Sequence, residues 1–228
     1  MAAGAVSTMV LRAVPMFASL GPDELQALAP MIMRRSAPRG SAVMREGDST
    51  DCLYIIVSGR LKVMVGEADG KETILNILGP GEFFGEMGLI DDNPRSASVV
   101  AVEACELLAL TKQAFRRFLV ENTDLAMAVM RVLVRRLREA DRKIGSLAML
   151  DVYGRVARLL LDMSESVGGR RVVTRRISKQ DIAKMIGASR EMVHKVMKDL
   201  QVSGYIEVEG STIVLRDPGA PHGAGGRA

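Results

Sequence analysis

The spacing of hydrophobic positions changes several times along the chain, and each change marks a different class of element. Residues 22–31 (PDELQALAPM) open with a proline and two acids and then set Leu25, Leu28 and Ala29 at helical spacing, which predicts a short N-terminal helix. From Ser41 to Thr111 the period falls to two. Strand candidates follow at Leu53–Ser58, Arg60–Val65, Glu72–Leu78, Ala97–Val102 and Glu106–Thr111, punctuated by Gly47, Gly59, Gly70 and Gly81 at intervals of 12, 11 and 11 residues. Turns at so regular an interval predict an antiparallel barrel or roll.

From Gln113 the period is helical again. Ala126, Met130, Leu133, Leu137, Ala140, Ile144 and Leu147 follow one another at steps of 4, 3, 4, 3, 4 and 3, flanked by Arg131, Arg135, Arg136, Arg138, Glu139, Asp141 and Arg142. A stripe this narrow and regular is a coiled-coil seam, and it predicts a parallel homodimer better than it predicts a helix packed on its own domain. Near Asp151 an acidic cap opens a further helix, expected over Val152–Val167 and stopped by Gly168–Gly169. Helices at Ser178–Ile186 and Ala188–Gln201, broken by Gly187, precede two short strands around Gly210. Helix, turn, helix and hairpin in that order describe a winged helix-turn-helix. Asp217–Ala228 (DPGAPHGAGGRA) reads as a disordered tail.

Charge sharpens this division. Residues 1–150 carry 18 Lys and Arg against 18 Asp and Glu, whereas 151–228 carry 13 against 9, so the net +4 belongs to the C-terminal third. A basic module joined to a neutral one suits a polyanion reader attached to something else. Other classes lose ground. Two cysteines, Cys52 and Cys105, and two histidines, His194 and His222, are too few for a metal centre or an evident catalytic constellation, and the expectation is no cofactor and no enzyme. Apolar runs such as Leu53–Val57 and Leu107–Leu110 fall short of a membrane span, and Met1–Val10 lacks a basic leader region, so the expected location is cytoplasmic.

The densest chemistry lies in Gly81–Leu89 (GEFFGEMGL) and Asn93–Ala97 (NPRSA). Glycines let backbone N–H groups approach a phosphate, a short helix beginning near Gly85 adds its positive end, an arginine neutralises charge in a bidentate manner, and a carboxylate accepts from ribose hydroxyls. By themselves these residues fit a phosphate-and-ribose site and a tight turn with a surface charge equally well. GEFFGEMGL followed by RSA resembles the phosphate-binding cassette of the CRP/FNR family, and the likeness runs in order over residues 12–216. The resemblance implies an α+β protein: a cyclic-nucleotide-binding β-roll domain at 1–121, a dimerisation helix at 122–150, a winged helix-turn-helix DNA-binding domain at 151–216 and the tail at 217–228. It implies that Gly85 and Glu86 meet the ribose, that Arg95 and Ser96 bind the cyclic phosphate, and that Met87 and Ala97 complete the ligand-contacting set.

The chain departs from the family at the base. In cAMP-binding members a threonine and then a serine of the dimerisation helix reach the adenine, and here those positions hold Ala140 and Asp141. Losing a hydrogen bond to a base edge costs about 1–3 kcal/mol. Asp141 suits a guanine edge, and Arg138 can stack on guanine or donate to it. Arg138-Glu139-Ala140-Asp141 also fits the Arg-x-x-Asp pattern of cyclic di-GMP sites, so the allosteric ligand is read as cAMP or another cyclic nucleotide or dinucleotide, with cyclic di-GMP as the second reading.

The stretch KQDIAKMIGASREMVHKVMKDLQVSGYI is similar to the family's helix-turn-helix. Ser178 and Asp181 have the sequence of a capped helix start, and Arg190, Glu191, His194 and Lys195 fall on the leading face of the second helix, where base edges are read. The resemblance implies that Arg190 reads guanine, that Glu191 accepts from a cytosine amino group, and that Lys195 stands for an arginine reading the outer part of a TGTGA-like half-site. Ser178, Lys179, Ser189 and the wing near Ser211 are the candidate phosphate contacts. The implied partners are double-stranded DNA, a cyclic nucleotide, a second copy of the chain and RNA polymerase, although the loop Ser164–Val172 is shorter than the polymerase-contacting loop of the family. The rival reading is a subunit that binds a cyclic nucleotide and restrains a partner enzyme. A base-reading helix has no place in such a subunit.

Overall fold

A computed structural model describes residues 6–66, 71–174, 177–210 and 212–216. The turn at Gly70, the wing residue Ser211, His222 and the tail expected at 217–228 lie outside the described residues. The chain divides into two compact units, Met1–Arg138 and Glu139–Ala228.

The first unit starts with α1 (Thr8–Arg12) and α2 (Pro22–Leu28), the latter capped where Glu24 Oε2 accepts from the Gly21 N–H at 2.7 Å. Eight strands follow: β1 (Ile32–Ala37), β2 (Ala42–Met44), β3 (Cys52–Ser58), β4 (Leu61–Gly66), β5 (Glu72–Leu78), β6 (Phe83–Phe84), then, after the short helix α3 (Met87–Ile90), β7 (Ser98–Ala101) and β8 (Cys105–Thr111). They form two antiparallel sheets, ordered β1-β8-β3-β6 and β2-β7-β4-β5. Ile56, Phe84 and Leu107 of the first sheet meet Leu61, Leu78 and Val99 of the second in a shared core, as the period-two pattern requires. The opposite face of the first sheet, with Leu53, Ile55, Leu108 and Leu110, is covered by helices, including α4 (Lys112–Glu121) and the start of α5 (Thr123–Met149).

Three strands of the first unit were not expected from the sequence. β1 is an edge strand with only its two ends buried, so Met33, Arg34, Arg35 and Ser36 show no alternation, and the arginines suit an edge that must not recruit another strand. β2 and β6 have three and two residues, too short for any periodicity to register.

The long helix α5 serves two surfaces. Leu125 and Val129 are buried in the roll's helical core, and Val132 and Leu133 pack against it. Met127, Met130, Val134 and Leu137 are 39%, 49%, 50% and 62% exposed. Part of the expected seam is thus retained as an apolar stripe in water, while Leu133 leans onto its own domain.

In the second unit α6 (Val152–Met163) is capped by Asp151, whose Oδ1 accepts from the Gly154 N–H at 2.8 Å. The helix expected to continue to Val167 stops at Met163. β9 (Glu165–Val167) pairs antiparallel with β10 (Arg170–Val173), and Gly168 and Gly169, at φ 58° and 77°, make a two-residue hairpin turn that only residues tolerant of positive φ form readily. The Gly-Gly pair is therefore a hairpin signal here and not a helix stop. α7 (Lys179–Ile186), α8 (Arg190–Val202), β11 (Ile206–Glu209) and β12 (Thr212–Leu215) complete a three-helix, four-stranded unit ordered β11-β12-β10-β9, closed on Val156, Leu160, Ile182, Val193, Met197 and Leu200. Among the described residues no helix is long and apolar enough to cross a membrane.

Candidate ligand and nucleic-acid sites

The cassette between β6 and β7 is built around two charges. Glu86 and Arg95 are 3% and 5% exposed, and among the described residues they are the only polar or charged residues that are buried. Arg95 is bound through its guanidinium: Nη1 donates to the Gly85 carbonyl at 2.9 Å, Nη2 donates to the Cys52 carbonyl at 2.7 Å, and Asp51 Oδ1 stands 3.7 Å away. Its backbone is tied to the turn after β2, donating to Asp48 O and accepting from the Gly47 N–H, each at 2.9 Å. Burial pushes the neighbouring Cys52 thiol up, with Asp51 adding to the shift and Arg95 opposing it.

Two glycines make this packing possible. At Gly85 (φ 85°) a Cβ would stand 2.4 Å from Arg95 Nη1, and at Gly88 one would stand 2.3 Å from the Asn93 carbonyl oxygen, so the first is closed by a buried side chain and the second by backbone. The helix expected near Gly85 begins at Met87, with Glu86 as its cap residue. Ala97 is buried, while Met87 and Ser96 are exposed beside each other, Ser96 Oγ lying 3.6 Å from the Met87 sulfur.

The arginine of α5 that meets this cassette is Arg136. Its Nη1 lies 2.6 Å from Glu86 Oε1, its Nη2 donates to the Phe83 carbonyl, and its guanidinium sits 5.1 Å from the Phe83 ring centroid. Arg138, the arginine that the sequence points to, is exposed. The missed signal was periodic: Leu125, Val129, Val132 and Leu133 face the roll, and Arg136 is the next position on that stripe. Ala140 and Asp141 are exposed residues of α5 on the second unit's side of the division.

A second clamp holds the far end of the cassette. Arg116 of α4 donates from Nε to the Leu89 carbonyl at 2.8 Å and from Nη2 to Asp92 at 2.7 Å, and Lys112 Nζ lies 2.5 Å from Asp92. These hydrogen bonds, from Arg116 first, hold the Asp92 carboxyl down at about 2.

In the second unit all seven proposed DNA contacts, Ser178, Lys179, Ser189, Arg190, Glu191, His194 and Lys195, are exposed. The capped helix starts are present. Ser178 Oγ accepts from the Asp181 N–H at 3.0 Å, and Ser189 Oγ accepts from the Met192 N–H at 3.2 Å. Ser178 Oγ also donates to Asp181 Oδ2 at 2.6 Å, so its single hydrogen is already engaged. The backbone N–H of Glu191 and the Ser189 side chain hold the Glu191 carboxyl below the usual carboxylate range, which keeps it an acceptor. Arg155 of α6 donates from Nη1 to the Ile186 carbonyl at 2.8 Å and so braces the end of α7. A cleft of about 520 Å³ beside α8 is lined by Lys179, His194, Met197, Lys198, Val208 and Ile213, among others.

Comparison with known proteins finds matches over both regions. The family model for the cyclic nucleotide-binding domain matches residues 34–122, and that for the Crp-like helix-turn-helix domain matches 154–220. The chain is 33% identical over 212 residues to a CRP-like cAMP-activated global transcriptional regulator of Mycobacterium tuberculosis, covering 91% of this chain and 95% of that protein. It is 36% identical over 182 residues to the cAMP-activated global transcriptional regulator CRP of Pasteurella multocida, covering 78% and 87%. Among solved structures, the c-di-GMP responsive global regulator CLP of Xanthomonas campestris matches with a TM-score of 0.73 and 31% identity, over 86% of this chain and 100% of that one. With a roll that buries one glutamate and one arginine, and an exposed, capped helix-turn-helix beside a wing, this chain belongs to the CRP/FNR family of transcription regulators.

Proposed function

We propose that this chain is a homodimeric transcription regulator in which a cyclic nucleotide held by Gly85, Glu86, Met87, Arg95, Ser96 and Ala97 sets the affinity of the recognition helices for DNA. The observation that carries the reading is the burial of Glu86 and Arg95. Taking a charge out of water costs several kcal/mol, and a fold with no use for the pair would fill the space with apolar residues. A carboxylate and a guanidinium beside Gly85 offer what a ribose hydroxyl and a cyclic phosphate need. The exposed stripe of Met127, Met130, Val134 and Leu137 supports self-association along α5, and the spacing of Arg190, Glu191, His194 and Lys195 supports entry of α8 into a major groove. The domain boundaries proposed at 121, 150 and 216 follow the same reading, as do a cytoplasmic location and contact with RNA polymerase.

cAMP is the first ligand, as the cAMP-activated relatives suggest. Cyclic di-GMP is the second, favoured by Ala140, Asp141 and the neighbouring Arg138, which remove a base-directed hydroxyl and supply guanine-directed groups, and by the likeness to a c-di-GMP responsive regulator. Only a ligand that binds the two DNA-affinity states unequally can act as the switch. Calorimetric titration of the purified protein with cAMP, cGMP and cyclic di-GMP identifies the ligand, and the Arg95→Leu variant should lose it. Absence of binding to all three overturns the pocket assignment. A footprinting series with and without the bound nucleotide then reads the switch.

A further inference from the structure

Lys179 is the first residue of α7 and His194 lies in the second turn of α8, and their side chains meet, Lys179 Nζ standing 2.7 Å from His194 Nδ1. A lysine ammonium carries three donors and no acceptor, so the ring nitrogen facing it must offer a lone pair. That requirement leaves the ring proton on Nε2. His194 is exposed and shares its helix face with Arg190 and Glu191 at spacings of four and three. Its ring therefore joins that face with a single fixed donor.

We infer that His194 is a specificity-determining residue whose Nε2–H donates to an acceptor on a base edge in the major groove, and that Lys179 is a positioning residue that fixes the tautomer. The inference rests on the reading of α8 as the helix that enters the groove. Guanine presents N7 and O6, adenine N7, and thymine O4, so a lone donor is satisfied by three of the four bases. Cytosine presents an amino group at that edge. The signature is thus an exclusion: one position of the half-site accepts G, A or T and rejects C. Lys179 keeps two further N–H groups for a phosphate, so it contributes both a sequence-independent charge and a sequence-dependent effect exerted through the imidazole.

The test is selection from a library of randomised half-sites, followed by binding to single-position variants across a salt series. It uses the full chain, with and without cAMP and cyclic di-GMP. Wild-type protein should disfavour C at one position by about tenfold. His194→Ala should erase that bias while leaving the preferences set by Arg190 and Glu191 intact. Lys179→Met should weaken the same bias and shallow the salt slope, and Lys179→Arg should restore both. In the His194→Ala background, Lys179→Met should alter the salt slope alone. Equal weakening of all sequences by His194→Ala would make His194 a phosphate contact and overturn the inference, as would an unchanged selection. Loss of the Arg190 and Glu191 preferences from the wild-type selection would instead overturn the groove reading on which the inference rests.

Discussion

In the roll, the two charges at the centre of the cassette are withdrawn from water and each is held by named partners. On α8, Arg190, Glu191, His194 and Lys195 are all exposed. The difference teaches where binding function and fold stability are coupled. A buried charge depends on its partners, so the residues proposed to bind the ligand also hold the roll together. An exposed charge is already solvated, so the residues proposed to read DNA can change with little effect on folding.

The contrast breaks most visibly at Arg136. Arg136→Ala leaves Glu86, 4% exposed in its side chain, without its ion-pair partner, and should cost about 3–5 kcal/mol in the urea denaturation of the protein. A loss below about 1 kcal/mol would show that the pair is not integral to the roll. Gly85→Ala comes next. Its Cβ would press on Arg95 Nη1 at a φ of 85°, and backbone strain of this kind costs about 1–3 kcal/mol, so thermal stability should fall and nucleotide affinity with it. On the reader, Glu191→Ala should leave the melting temperature unchanged and broaden the selected DNA sequence at one position. A melting temperature lowered as far as that of Gly85→Ala would erase the distinction between the two regions.

The smallest effect is at Asp92. Its carboxyl is held at about 2, below the ordinary 3.8 of a free aspartate, so its contacts with Arg116 and Lys112 stabilise the folded state above pH 3.8, and that contribution fades as pH falls toward 2. Both contacts are solvent-screened, so the reporter is the Asp92 carboxyl itself. A carboxyl-carbon NMR titration should place its midpoint near 2, and Arg116→Ala should move it back toward 3.8.

What the sequence reveals depends on how local each feature is. The cassette is legible because Gly85, Glu86, Gly88 and Arg95 lie within one short stretch, and the helix-turn-helix because Ser178, Asp181 and Ser189 mark helix starts in plain order. Arg136 meets Glu86 across 50 residues, and the outward seam of the long helix does not point to it. Its inward stripe, from Leu125 to Leu133, leads directly to it. β1 and β6 exist because β8 and β3 pair with them, and such pairing leaves no trace in strands whose own side chains do not alternate or number only two. The β9–β10 hairpin was hidden by Gly168–Gly169, since a glycine pair ends a helix and turns a hairpin with equal ease.

The apolar flank of α5 also makes cellular abundance a variable. In the proposed dimer Met127, Met130, Val134 and Leu137 gain shelter when two chains meet, so the assembled form gains ground by mass action, and melting should shift upward on concentrating the sample. For the proposed regulator, expression level would then act as a second input alongside the nucleotide, and a cell holding few copies would keep part of its pool unassembled.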